Sequence, residues 1–376
     1  MAKNNFLKFL SSEYVINILG ILIVLLFVVN LFFLNSFGSS LKNKIVKAEE
    51  DGRPAMLELI IIEADCEGCF DINKVVESIE SGNVNITKKE ILNQKTSFPL
   101  VWPLIDQYKI TKLPTVIVKG ELDKSGLNKT LVISDGALVF NQQSPPYYDV
   151  TSRSIKGYVS ATIIDAENCP NCTKVEPLLY ELKKSGVNIK NIINLNEKNS
   201  KDLIQRYSIK TLPTLILSND ALEYAAIKQS WQSIGTIEKD GNLITRDLPA
   251  PYKNLETGKI DGLVGVTYLI DSSCKTCYDV QAHKRIINGY GLVVSGEKTL
   301  DVSTPEGLAF AQNYNVTLVP TVVLSNDAKI YSSFYRVFMQ VGEESKDSLV
   351  FKSVELMGIY KDLTTGKVVE PKAQGQ

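Results

Sequence analysis

The six cysteines of this 376-residue chain fall into three Cys-x-x-Cys pairs: Cys66-Glu67-Gly68-Cys69, Cys169-Pro170-Asn171-Cys172 and Cys274-Lys275-Thr276-Cys277. Two thiols at this spacing can exchange with a disulfide, supply half of a metal site or carry a covalent haem. Haem attachment is excluded, because Phe70, Thr173 and Tyr278 stand where it needs histidine. Zinc needs four ligands; pairs about 100 residues apart are not ribbon spacing, and the single histidine, His283, cannot complete a set. That lone histidine also excludes a Ser-His-Asp triad anywhere but around it. No metal and no cofactor is therefore assigned, although copper handling by thiols stays open. Purely structural bridges would close tiny loops, where the gain from loop closure is smallest. Thiol–disulfide exchange is the chemistry the pairs suit best.

The first cysteines are 103 and 105 residues apart, and a second feature keeps that beat. Tyr108-Lys109-Ile110-Thr111-Lys112-Leu113-Pro114-Thr115 returns as Tyr207–Thr214 and as Tyr314–Thr321, each with Tyr six residues before Pro and Thr directly after it. A third element closes each unit: Tyr147-Tyr148-Asp149-Val150, Tyr252-Lys253-Asn254-Leu255 and Tyr360-Lys361-Asp362-Leu363. The last two continue to Gly258-Lys259 and Gly366-Lys367, the signature of a turn between short strands. A period of about 105 residues is domain-sized, so these are tandem domains and not a solenoid.

Elements that would position the pairs can be read within each unit. Short apolar, β-branched runs precede the first cysteines (Met56–Ile62, Tyr158–Ile164, Gly265–Ile270) and suit buried strands. Helical periodicity follows, as in Val175, Leu178, Leu179 and Leu182. A strand, a second helix ending at the recurrent Tyr, and a strand directly after Pro complete a β-α-β-α-β order, which is α/β.

A strand, a Cys-x-x-Cys opening a helix and a Tyr-x-aliphatic-x-x-aliphatic-Pro-Thr segment 44–48 residues later resemble thioredoxin. The resemblance covers roughly residues 54–340 in three copies. It implies three tandem thioredoxin-like domains, each a central mixed sheet flanked by helices, over 54–153, 154–259 and 260–367. It implies Cys66, Cys169 and Cys274 as attacking thiols and Cys69, Cys172 and Cys277 as resolving thiols. It also implies that Pro114, Pro213 and Pro320 are cis, and that Leu113, Leu212 and Val319 offer backbone groups to a bound substrate strand. The partners would be protein thiols and disulfides, with a membrane redox partner as a further candidate. A helix beginning at each pair would favour thiolate at its first cysteine.

The intervening residues should tune the three sites differently. Asp65 and Glu67 disfavour thiolate at Cys66 and make the first site more reducing; Lys275 does the opposite at Cys274. The chain departs from thioredoxin in lacking Trp-Cys-Gly-Pro-Cys. Ile60, Ile163 and Tyr268 also replace the family's buried acid six residues before the first cysteine. Glu63, Asp165 and Asp271 are nearer acids that could assist proton transfer, although loop acids are usually just solvated. His283 reads as a partly exposed helix residue, and Trp102 and Trp231 as packing residues.

Ahead of the units, Tyr14–Leu34 is almost continuously apolar, and no charge occurs from Tyr14 to Leu41. About 20 apolar residues span a bilayer as a helix, more than a signal-peptide core has. Residues 14–35 are thus expected to be an uncleaved, single-pass transmembrane anchor, with tails at 1–13 and 368–376 and a linker at 36–53. Lysines on the two sides nearly balance, so charge does not fix orientation; disulfide chemistry favours extracytoplasmic domains. Lys+Arg of 41 against Asp+Glu of 42 argues against nucleic-acid binding. Two functional classes follow: a membrane-anchored thiol–disulfide oxidoreductase, or a non-catalytic thioredoxin-like binding array with structural disulfides.

Overall fold

The computed structural model describes residues 13–371; the tail residues 1–12 and 372–376 lie outside it. The apolar run lies in α1 (Glu13–Gly52), a helix of 40 residues. Its stretch Asn17–Leu34 is long and apolar enough to cross a membrane, and none of the other described residues covers it. The expected linker differs: α1 continues through it as far as Gly52. Residues 41–50 explain why, being mostly Leu, Lys, Ala and Glu, good helix formers with no proline before Pro54. Just past its end, Arg53 donates to both Glu50 and Glu121, at 2.6 Å from Nη2 to Glu121 Oε1.

The first unit runs β1 (Ala55–Glu63), α2 (Asn73–Glu80), β2 (Val84–Asn93), α3 (Phe98–Tyr108), β3 (Lys112–Leu113), β4 (Thr115–Gly120), β5 (Val132–Ser134), β6 (Ala137–Val139) and β7 (Tyr147–Asp149). Alternation along β1 sends Leu57, Leu59 and Ile61 to one face, against Val76 and Ile79 of α2. It sends Ile60 and Ile62 to the other, against Val101 and Ile105 of α3. The strand order is β2-β1-β4-β6-β5, with β1 parallel to β2 and antiparallel to β4. This is a mixed α/β sheet covered on both faces.

The second unit repeats the plan: β8 (Val159–Asp165), α4 (Glu176–Lys184), β9 (Ile189–Asn196), α5 (Lys201–Arg206), β10 (Thr211–Leu212), β11 (Thr214–Leu217), α6 (Ala225–Ser230), β12 (Gly235–Ile237), β13 (Leu243–Thr245), β14 (Tyr252–Asn254) and β15 (Ile260–Asp261). So does the third: β16 (Leu263–Ile270), α7 (Ala282–Gly289), β17 (Val293–Asp301), α8 (Pro305–Asn313), β18 (Leu318–Val319), β19 (Thr321–Ser325), α9 (Ser332–Phe338), β20 (Gly342–Ser345), β21 (Ser348–Phe351), β22 (Tyr360–Asp362) and β23 (Val368–Val369). Their central sheets, β9-β8-β11-β13-β12 and β17-β16-β19-β21-β20, keep the order of the first. Trp231 is fully buried in the second core, and Trp102 packs half-buried in the first.

Packing divides the chain into two compact bodies, with the boundary between Ser154 and Ile155. The second body holds both the second and the third unit. Within it a cleft of about 940 Å3 has walls from Tyr207, Arg246 and Tyr252 on one side and Ile330 and Ser332 on the other.

Candidate functional site

Each cysteine pair occupies the turn that leaves the first strand of its unit. All three pairs are disulfide-bonded, with Cα–Cα separations of 5.6, 5.3 and 5.5 Å. The turns do not open the helices, contrary to the sequence expectation. Three residues separate Cys69 from α2 and Cys172 from α4, and four separate Cys277 from α7. The cause is a backbone bond made three times. The N–H of the residue after the second cysteine goes to the chain before the closing strand: Phe70 to Pro146 O (2.9 Å), Thr173 to Pro251 O (2.8 Å) and Tyr278 to Ile359 O (2.8 Å). Committed there, that residue cannot enter a helical ladder. Helix-dipole support for thiolate fades beyond the first turn, so it does not act as expected at Cys66, Cys169 or Cys274.

The opposite side of each site is the proline segment. The Leu113–Pro114, Leu212–Pro213 and Val319–Pro320 bonds are cis. Antiparallel register sets Thr115 across from Ile62, Thr214 across from Ile164 and Thr321 across from Leu269. Each proline therefore starts its strand at the sheet end where the cysteine turn begins. The three units share a thioredoxin-like fold. In each unit the residue before the proline, Leu113, Leu212 or Val319, is fully buried, backbone included, and the proline itself is buried. That residue lies on a two-residue strand, paired on one edge with the closing strand: Leu113 with Tyr148, Leu212 with Lys253 and Val319 with Lys361. β3, β10 and β18 are the edge strands of these small sheets.

The surroundings of the three turns differ. At the first, Cys66 and Cys69 are half-buried, and Asp65 is paired with Lys95 at 3.0 Å. The Lys95 ammonium offsets the charge that Asp65 was expected to bring. At the second, Cys169 and Cys172 are each only 6% exposed, and Thr173 Oγ1 donates to Pro249 O at 2.6 Å. At the third, Cys274 and Cys277 are half-buried beside a polar cluster. Asp271, 8% exposed, accepts from Ser273 N (2.9 Å) and Ser273 Oγ, and from Lys361 Nζ at 2.6 Å. Lys361 Nζ also donates to Ser273 Oγ at 2.9 Å. Burial would raise the Asp271 carboxyl, but the bonds from Lys361 and Ser273 outweigh it and hold it below the usual range.

Two residues in the third unit take unexpected places. His283 is buried (3% exposed), where a partly exposed helix residue was expected, because α7 turns it inward against Phe351. Its Nε2 lies 2.9 Å from Tyr278 Oη, which donates to Pro320 O at 2.6 Å. Burial lowers His283 to about 4 and raises Tyr278. In the first unit Gln143 takes a comparable role, donating to Pro114 O at 2.9 Å. Of the acids that were candidates for proton transfer, Glu63 is exposed, Asp165 is half-buried and Asp271 is tied to Lys361. Ile60 and Ile163 are core residues, and burial pushes the Tyr268 hydroxyl up to about 12. Gln143, Tyr278 and Lys361 were not singled out from the sequence. For Lys361 a signal existed, the lysine shared by the second and third closing elements and replaced by Tyr148 in the first.

No family model and no curated protein matches the chain. Similar solved structures include a protein disulfide oxidoreductase from Aeropyrum pernix, 15% identical over 45% of this chain and 77% of that one, with a TM-score of 0.13. Full-length ERdj5 is 10% identical over 72% of this chain, which spans 41% of it, with a TM-score of 0.15. The NTD_N/C domain of the alkylhydroperoxide reductase AhpF from Enterococcus faecalis is 11% identical over 47% of this chain and 90% of that one, with a TM-score of 0.14. The thioredoxin-like assignment rests on the strand order, the disulfide turns and the cis prolines.

Proposed function

We propose that the chain is a membrane-anchored thiol–disulfide oxidoreductase acting on protein substrates. The observation that carries this reading is the threefold repetition of one geometry: a disulfide turn and a cis-proline edge strand at the same end of one sheet. In the reduced form the thiolate of Cys66, Cys169 or Cys274 attacks a client disulfide, forming a mixed disulfide and releasing one client thiolate. The thiolate of Cys69, Cys172 or Cys277 then attacks the enzyme-side sulfur of that bond. The second client thiolate leaves, and the pair ends as a disulfide. Run backwards, the same steps oxidise a client dithiol. A client segment added as an extended strand would pair along β3, β10 and β18 at Leu113-Pro114, Leu212-Pro213 and Val319-Pro320, residues that are buried in the disulfide form and must first be uncovered. α1 serves as a single-pass anchor, and its continuation beyond the apolar stretch acts as a stalk on the extracytoplasmic side.

The test is insulin reduction by the full chain and by single Cys→Ser variants. Turnover that falls with each substitution, and client proteins trapped covalently by Cys172→Ser or Cys277→Ser, are expected. Inertness of all three sites would leave the binding array. One observation favours that second reading for the middle unit alone: Cys169 and Cys172 are nearly enclosed. Protease accessibility on intact cells decides the side of the membrane.

A further inference from the structure

Lys361 belongs to a closing strand about 90 residues after the third cysteine pair, yet it ends on the turn that carries that pair. The register of β22 on β18 sets Lys361 opposite Val319, the residue before cis Pro320. From there its ammonium reaches Asp271 Oδ2 at 2.6 Å and Ser273 Oγ at 2.9 Å. Ser273 is the residue before Cys274, and Asp271 O accepts from Cys274 N at 3.0 Å. Both Asp271 oxygens are used, Oδ1 by Ser273 and Oδ2 by Lys361. One half-buried, hydrogen-bonded ion pair thus joins the segment that would hold a client strand to the turn that would exchange with it.

The other two units supply internal controls. Lys253 occupies the same register opposite Leu212, but its ammonium goes to Glu197 beyond the end of β9. The first unit has Tyr148 at this register and no ammonium there. Other charged groups near the third turn are Lys275 within it, Asp279 just after it, whose Oδ1 accepts from Gln281 N at 2.9 Å, and Asp301, whose Oδ2 accepts from Ser272 N at 3.3 Å. Asp301 faces Ser272 and Ser303 and has no bond to Lys361.

Resting on the oxidoreductase reading, we infer that Lys361 is a positioning residue that stabilises the Cys274 thiolate, and that Asp271 restrains it by taking up part of its charge. Reduction of the third disulfide leaves a thiolate one residue from Ser273, within the field of the Lys361 ammonium. An opposite charge within about 4–6 Å of a thiol shifts it by about one unit or more toward the ionised form. A stabilised thiolate makes the reduced state easier to reach and the disulfide more oxidising. The two members of the pair must then act with opposite signs.

The test uses the full chain in detergent micelles, chemically reduced. The rate of iodoacetamide alkylation at Cys274 is followed against pH and read on the Cys274 peptide by mass spectrometry. Lys361→Met is expected to move the Cys274 titration up by about one unit, and Asp271→Asn to move it down. Lys361→Arg should retain the native value. In glutathione buffers, the first variant should shift the equilibrium of the third pair toward the disulfide about tenfold, and the second away from it. If Lys361→Met does not fold, Asp271→Asn alone still decides, because loosening of the turn does not predict a lowered thiol. Shifts of the same sign in both variants, or none in either, overturn the inference while leaving the oxidoreductase reading intact. Failure of the native third pair to equilibrate with glutathione defeats the oxidoreductase reading at that site, and the alkylation profile still decides the role of Lys361.

Discussion

His283 replaces the leucine (Leu178) that the second unit carries at the same distance from its cysteines, and it does so in an apolar wall, 3% exposed. Burial there favours the neutral ring and sets its titration near 4, against 6.5 for a free histidine. With the folded value below the unfolded one, the unfolded chain binds the proton first as pH falls. Stability is complete above about pH 6.5 and declines toward pH 4. Between pH 7 and pH 5 the loss is about 2 kcal/mol. Thermal unfolding of His283→Leu should lack this slope, whereas the carboxylate Asp301, held near 2, acts only at lower pH. A second effect at this scale concerns the residue after each recurrent tyrosine. Lys109, Ser208 and Asn315 are left-handed, at φ of 53°, 48° and 52°. Asparagine visits that region readily, and lysine does not. Lys109→Gly should therefore stabilise the first unit by about 1 kcal/mol, and Asn315→Gly by much less, measured by urea unfolding.

At the scale of elements, the helix starts are where the structure parts from the sequence reading. Thr173 ties the middle turn to the closing segment through both its N–H and its hydroxyl. Removing only the hydroxyl bond, in Thr173→Val, should cost about 1 kcal/mol. If the turn must open before a reductant reaches Cys169–Cys172, that cost speeds dithiothreitol reduction up to about fivefold. An unchanged rate would mean that the reductant reaches the closed turn. The strands and the helices behind them were legible because period and β-branching are local, and the cis prolines because the repeated Pro-Thr mark carries the resemblance to thioredoxin. What joins the cysteine turns to their surroundings was not, because its partners are distant in sequence: Phe70 with Pro146, Thr173 with Pro251, Lys361 with Asp271. The continuation of α1 as far as Gly52 was missed for a different reason. Residues 41–50 are half charged and carry only a short apolar stripe, Leu41, Ile45 and Ala48, so their propensity was the main mark of helix.

For the whole molecule, three copies of one fold with different turn surroundings should give three different redox sites. The first has Glu67 within its pair, partly balanced by Lys95 on Asp65, and no lysine opposite Leu113. The third has Lys275 within its pair and Lys361 at its edge. A difference of one unit in thiol ionisation corresponds to about 1.4 kcal/mol, or about 30 mV for a two-electron couple. Titration of the full chain against glutathione, read separately at each pair by mass spectrometry, should place the third pair highest and the first lowest, at least 30 mV apart. The full chain is the proper sample, because the second and third units form one compact body and excising either would expose the shared cleft. Rates should rank differently from potentials. The middle pair, 6% exposed at both sulfurs' residues, should approach equilibrium most slowly, since attack needs access as well as driving force. A single midpoint for all three pairs would show that the charges beside them do not reach the sulfurs. Three midpoints with equal rates would show instead that burial of the middle turn is no barrier.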